Sequence, residues 1–308
     1  MLIGETLSLI VAVSWTLTAL FSETATRRFG VLHTNLIRLF LSALFLAILL
    51  WAMTGAPYPK HAGAQAWLWL AASGLVGFVF GDYCLFNAYR VMDSRFGQLF
   101  MTLSSVFAAF AAFALLGERL SWKAIAAMTV TLGGIMISIL GKDSGKRSFQ
   151  LRIPFKGVLF GLGAAIGQGV GLVLSKQGLL AYSADLEGLA YNSYMIPFAG
   201  TMIRSVFGFL GFLAIMGLER KLAEIPGCLK DGKGMSIIMA VTFFGPFFGV
   251  SLSLMAVQYT SAGIAQTIMA LTPVLILLPS KLYYHRKVRP VEVLGALISV
   301  AGTTLFFV

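Results

Sequence analysis

The chain has 308 residues, of which 58% are hydrophobic and only 11% are charged, and its mean hydropathy is +0.87. A soluble domain carries about 25% charged residues, so this composition excludes a soluble protein and predicts an integral membrane protein. The formal charge of +11 does not indicate a nucleic-acid partner, because the basic residues lie between apolar segments, where membrane proteins carry their topological signals.

Taken in chain order, apolar runs separated by polar, glycine or proline residues predict an all-α protein with ten transmembrane helices. A helix needs about 20 apolar residues to cross a hydrocarbon layer of about 30 Å. The ten are expected near 4–24, 34–54, 65–89, 95–116, 121–140, 156–180, 190–217, 235–258, 262–280 and 290–308. The first Lys or Arg is Arg27, so the first run lacks the charged start of a signal peptide and is expected to remain as a helix.

The second half of the chain repeats the first. A shift of 168 residues aligns 77–106 with 245–274 without a gap. The aligned residues include two glycine pairs, Gly77 with Gly245 and Gly81 with Gly249, and a glutamine pair, Gln98 with Gln266. A long ungapped register that contains polar and glycine matches indicates an internal duplication.

This duplication divides the chain into a first five-helix repeat at 1–140, a basic linker at 141–155 and a second five-helix repeat at 156–308. Because five is an odd number, the second copy must enter the membrane from the side opposite to the first. The result is an inverted repeat. Secondary transporters commonly have this architecture, with the substrate site near the middle of the membrane between the halves.

The repeated segments resemble the EamA-type half of the drug/metabolite transporter superfamily. The stretches that carry the resemblance include Trp15, "NLIRLFLSAL", "LLGERLSWKAIAAMTVTLGGIMI" and the closing "LGALISVAGTTLFF". The resemblance covers nearly the whole chain and implies a multi-pass solute transporter of the cytoplasmic (inner) membrane, often an exporter of amino acids or other metabolites. The halves have diverged, because Arg286 stands where the first half has Glu118, and Ser105 where the second has Pro273.

Two charged residues, Asp82 and Arg204, lie deep within predicted helices. An ionisable side chain in the bilayer costs roughly 2.5–3.5 kcal/mol on insertion scales, so a partner or a function is expected. The candidate partners of Asp82 are Arg38 and Arg204, which lie in equivalent helices of the two halves. Two interpretations stay open. One is a structural ion pair; the other is an acid that binds a substrate amine or a coupling proton, with Arg204 balancing it or meeting a carboxylate.

Polar and aromatic side chains recur at corresponding depths in the two halves and predict a solute cavity. The candidate substrate-binding residues are Trp15, Asp82, Asn87, Gln98, Thr102, Gln168, Arg204, Gln266 and Thr272. Such a cavity suits a small zwitterionic or amphipathic solute, although each residue taken singly is more typical of an interhelical hydrogen bond. The paired glycines predict close helix packing, with a sliding interface during transport as the alternative.

The sequence contains no signature of catalysis, metal binding or nucleotide binding. The three histidines, His33, His61 and His285, fall in predicted connecting segments without metal-ligand spacing. We therefore expect no enzyme and no cofactor, but a carrier that draws on a solute or ion gradient. The alternatives are a flippase for a lipid-linked sugar and, without a supporting motif, a membrane-embedded enzyme.

The orientation follows from two arguments that disagree. Loop Lys and Arg residues number 4 on the side of the termini and 17 on the other side. The excess of positive charge lies on the cytoplasmic side of membrane proteins, which puts both termini outside. The family resemblance implies termini inside, and the sequence leaves the two orientations open.

Overall fold

The computed structural model describes residues 2–140, 154–275 and 290–305, which form a bundle of helices. The helices of the first half are α1 Ile3–Phe29, α2 Val31–Thr54, α3 Ala64–Ser73, α4 Tyr83–Met101, α5 Ser104–Leu116 and α6 Trp122–Leu140. Those of the second half are α7 Phe155–Asp185, α8 Ile196–Leu218, α9 Ile225–Leu229, α10 Gly232–Thr242, α11 Ser251–Tyr259, α12 Ala262–Met269, α13 Thr272–Leu275 and α14 Pro290–Thr304. The predicted linker, apart from its last two residues, lies outside the described residues, as does the end of the ninth predicted helix.

The length and the apolar composition of the helices identify the membrane-spanning part of the bundle. Within the described residues, 6 helical stretches are long and apolar enough to cross a membrane, and four shorter apolar helices accompany them. In chain order these stretches correspond to the ten predicted segments. Large apolar side chains project outward, including Trp122 and Leu218, which are each 86% exposed. An apolar outer surface of this extent is suited to lipid, and the protein is an all-α integral membrane protein.

A π-helical stretch interrupts the third predicted helix of each half. The first stretch is Gly74–Asp82, between α3 and α4, and the second is Phe243–Val250, between α10 and α11. The two overlap when the chain is shifted by the 168 residues of the repeat. Short π-helical turns occur frequently at functional sites, because the extra residue per turn rotates the side chains that follow.

The two halves interlock through their first helices. The helix α7 packs against α3, α4 and the π stretch between them, and α1 packs in the same way against α10, α11 and their π stretch. Glycines permit the close approach: a Cβ on Gly167 would lie 2.6 Å from the Cα of Gly81, and one on Gly171 would lie 2.9 Å from that of Gly77. In the other half, Gly245 and the residues around it face α1.

The predicted break between the third and fourth helices, at 90–95, is wrong in detail. The helix α4 continues through these residues as far as Met101. A Cβ on Gly97 would lie 2.6 Å from the ring of Tyr89, whereas eight residues of straight helix span about 12 Å. The helix α4 therefore bends sharply between these two residues. The break in helical hydrogen bonding falls later, at 102–103, and its counterpart in the second half falls 168 residues on, at 270–271.

Hydrogen bonds between the connecting segments reveal the direction of each helix. The start of α3 meets the end of α7, since the backbone N–H of Gly63 donates to Asp185 at 2.7 Å. The start of α10 instead meets the end of α1, where Arg28 donates to Asp231 at 2.7 Å. The third helix of each half therefore begins beside the end of the first helix of the other half.

Candidate substrate site

A cavity of about 60 Å³ lies inside the bundle where the two halves meet. Its polar lining includes Arg38 and Asp82 from the first half and Gln168 from the second. The cavity therefore brings polar side chains of the two halves together.

Asp82 is the centre of a buried polar network. Its Oδ2 accepts from Nη2 of Arg38 in an ion pair whose side chains are 7% and 4% exposed. Its Oδ1 accepts from Nε2 of Gln168 at 2.6 Å, and Nε of Arg38 donates to Oδ1 of Asn35 at 2.8 Å. Of the two predicted partners of Asp82, the structure pairs it with Arg38. The network joins the second and third helices of the first half to the first helix of the second half.

Arg204 is buried beside this network but does not join it. Its guanidinium carbon lies 4.7 Å from the centre of the Phe78 ring, and the residue is only 3% exposed. Among the described residues, Nε of Arg204 has no hydrogen-bond partner. Asp82 attracts it electrostatically without forming an ion pair. The Phe78 ring also lines the cavity and has the guanidinium of Arg38 at 5.8 Å.

Two further predicted residues, Gln98 and Trp15, line the cavity. Nε2 of Gln98 donates to the hydroxyl of Tyr89 at 2.5 Å, and the indole Nε1 of Trp15 lies 3.0 Å from where a Cβ on Gly249 would be. Sequence reasoning missed Tyr89 as a lining residue. It follows Asp82 by seven residues, which is two helical turns and therefore the same face.

Asn87 lies outside this cavity. It lines a larger, more polar cavity of about 350 Å³ together with Tyr83, Arg90 and residues of the segments that connect the helices. Its side chain donates to the backbone carbonyl of Tyr83 at 2.8 Å. Asn87 was predicted to bind substrate together with Asp82, but it lies five residues later and therefore about 140° away around the helix axis.

The remaining predicted residues, Thr102, Gln266 and Thr272, are buried, and α12, which contains Gln266, packs against both α1 and α5. Nε2 of Gln266 donates to the hydroxyl of Ser104 at 2.7 Å, and the hydroxyl of Thr272 donates to the carbonyl of Ala12 at 3.3 Å. Thr102 is 2% exposed at the break between α4 and α5. None of the three is among the residues that line the Asp82 cavity.

Comparison with known proteins identifies this architecture. The model of the EamA-like transporter family matches residues 2–140 and 155–308. A GDP-fucose transporter 1 from Nematostella vectensis is 25% identical over 153 residues, which is 49% of this chain and 40% of the relative's length. A solved crystal structure covers 98% of this chain and 96% of its own with a TM-score of 0.70 and 15% identity, and at that identity it shows a shared fold alone.

Proposed function

This chain belongs to the EamA-like transporter family, and we propose that it exports a small amino-acid-like or amphipathic metabolite across the cytoplasmic membrane by alternating access. One observation supports the proposal: a cavity between the two halves is lined by the buried side chains of Arg38 and Asp82 and by the polar side chain of Gln168. Buried ionisable groups inside a membrane bundle are typical of substrate or ion routes. On this proposal the cavity is the substrate site, and the protein is not an enzyme.

A metabolite screen tests the proposal. Cells that overexpress the chain are expected to lose one class of solute from the intracellular pool and to tolerate its toxic analogues. The screen should include nucleotide sugars, because the curated relative transports GDP-fucose by its name. Flux of the identified solute into vesicles that contain the purified protein then separates direct transport from an indirect effect. If purified protein moves only a lipid-linked sugar between leaflets and carries no aqueous solute, the flippase alternative replaces this proposal.

Asp82 is proposed as the site of a coupling proton. Its carboxylate is already satisfied by Arg38 and Gln168, so a proton that neutralises it would release both partners and loosen the contact between the halves. The charged and titratable groups that face it are Arg38 from α2, Arg204 from α8 and Tyr89 from α4.

Replacing Asp82 with Asn is expected to abolish the pH dependence of flux. The single change also leaves Arg38 buried without its carboxylate, which costs about 3 kcal/mol or more. The matched control is the double variant Arg38→Gln with Asp82→Asn, which removes both charges and should restore thermal stability without restoring the pH response. A pH profile of flux in vesicles that stays unchanged in a folded Asp82→Asn protein removes Asp82 from the mechanism.

A further inference from the structure

The two halves of the protein carry the same arginine at equivalent places. Arg38 in α2 corresponds to Arg204 in α8 through the sequence Ile-Arg, which recurs at 37–38 and 203–204 with a local shift of 166 residues. These two helices pack against each other. Each guanidinium group reaches a π stretch of the other half. Nη1 of Arg38 lies 3.8 Å from where a Cβ on Gly245 would be, and Nη2 of Arg204 lies 2.8 Å from where one on Gly77 would be. The structure thus repeats the cation together with its surroundings.

The acid, in contrast, is present once. Asp82 pairs with Arg38, whereas the residue that corresponds to Asp82 in the second half is Val250, which lines the cavity. Arg204 is left with the ring of Phe78 and with Nε unpartnered among the described residues. Two buried guanidinium groups and one carboxylate give this cluster a net charge of +1 when all three are ionised.

A buried cation without a matching anion is costly, and the cost is relieved when a ligand supplies the charge. A guanidinium group binds carboxylate and phosphate oxygens through two parallel hydrogen bonds, which the planar fork of donors favours. We propose that Arg204 binds the anionic group of the solute, a carboxylate or a phosphate, at the place that the repeat gives to Val250 as the counterpart of Asp82. This inference rests on the proposed transport function, and it makes the solute an anion or a zwitterion.

The repeat itself provides the test. Replacing Val250 with Asp restores in the second half the acid that the first half has, so the protein would satisfy Arg204 internally. The matched control is Val250→Asn, which has nearly the same shape and no charge. Purified wild-type protein and both variants are melted in detergent with sodium acetate, sodium phosphate or the neutral analogue acetamide, at ionic strength matched with sodium chloride.

Acetate or phosphate is expected to raise the melting temperature of the wild-type protein and of Val250→Asn by roughly 2–4 °C at tenfold excess over the dissociation constant. Acetamide should not change the melting temperature. Without added anion, Val250→Asp should melt at a higher temperature than Val250→Asn, and neither salt should change its melting temperature. A response to acetate alone assigns a carboxylate, and a response to phosphate alone assigns a phosphate. Anions that act no more strongly than acetamide on the wild type, or equally on both variants, overturn the proposal.

Arg204→Gln provides a second measurement if Val250→Asp does not fold. It removes the cation, so the response to both anions should disappear, while Arg204→Lys should keep a weaker response without the paired hydrogen bonds. A retained response in Arg204→Gln overturns the proposal. Binding is measured here without transport. If the protein binds anions but transports nothing, the proposed transport function is wrong and this inference stands. If the protein transports a neutral solute and does not respond to anions, this inference is wrong and the transport function stands.

Discussion

The two ends of the bundle are held together by different kinds of contact. At the N-terminal end, defined by Glu5, Glu118, Lys176 and Thr260, the ion pair between Lys176 and Glu118 measures 2.6 Å and its side chains are only 15% and 19% exposed. At the opposite end, defined by Arg28, His33, Glu224 and Asp231, the side chains of Arg28 and Asp231 are 46% and 25% exposed. A polar cavity of about 350 Å³ also lies near this opposite end.

The N-terminal end ties four segments together through one network. Besides the ion pair, Nζ of Lys176 donates to the carbonyl of Thr260 at 2.9 Å, and Glu118 accepts from the backbone N–H of Ala262 at 3.1 Å. The hydroxyl of Thr260 donates to Glu5 at 2.8 Å. Alternating access requires each end to open in turn. On the proposed alternating-access mechanism, opening at the N-terminal end therefore breaks better buried interactions than opening at the opposite end.

Replacing Lys176 with Met is expected to lower the stability of the protein more than the other substitutions at the two ends. It leaves Glu118 partly buried without its cation, which lowers the free energy of unfolding by about 3 kcal/mol and favours opening at the N-terminal end. The double variant Lys176→Met with Glu118→Gln removes both charges and should lose less stability. Thermal melting of the two purified variants and the wild type measures this order.

Two single-cysteine variants of α1, one near each end of the helix, report which end of the bundle opens. Ser8 and Ser22 are both buried, at 0% and 1% exposure, and lie about 21 Å apart along the helix. In a chain whose Cys84 and Cys228 are changed to Ala, Lys176→Met should speed labelling of Ser8→Cys by a membrane-impermeant thiol reagent and leave Ser22→Cys unchanged or slower. Equal acceleration at both positions would mean a general loosening and would contradict a latch at one end.

The sequence predicted the two ends only in part, for a physical reason. Hydropathy reports where a helix can cross the membrane, so the number and order of the apolar segments could be predicted. The internal repeat gave the pairing of Gly77 with Gly245. Hydropathy does not report rotation about the helix axis. The π stretches and the bend of α4 change which face the residues beyond them present. His33, expected in a connecting segment, lies in α2 with its Nε2 3.4 Å from Oε2 of Glu224.

Replacing Thr260 with Val is expected to lower the stability of the protein by an intermediate amount. Oε1 of Glu5 would lose its donor, and Oε2 already lacks a hydrogen-bond partner among the described residues. A buried acceptor left unsatisfied costs about 1–3 kcal/mol. Adding Glu5→Gln to Thr260→Val removes the charge and should recover part of the loss in a thermal melt. If the single variant destabilises more than Lys176→Met does, the ion pair is not the main contact at this end.

The exposed pair at the opposite end should have the smallest effect, with a definite pH dependence. The hydrogen bond from Arg28, followed by that from the backbone N–H of Gly234, holds the pKa of Asp231 below its usual value. Its stabilising contribution is therefore complete above the unfolded pKa of about 3.9 and is lost as the pH falls through the lower folded pKa. Asp231→Asn should melt slightly below the wild type at pH 7 and merge with it in strong acid. High salt should shrink the difference at pH 7, because exposed charges are screened. A difference that persists in strong acid, or that exceeds the effect of Lys176→Met, would remove the contrast between the two ends.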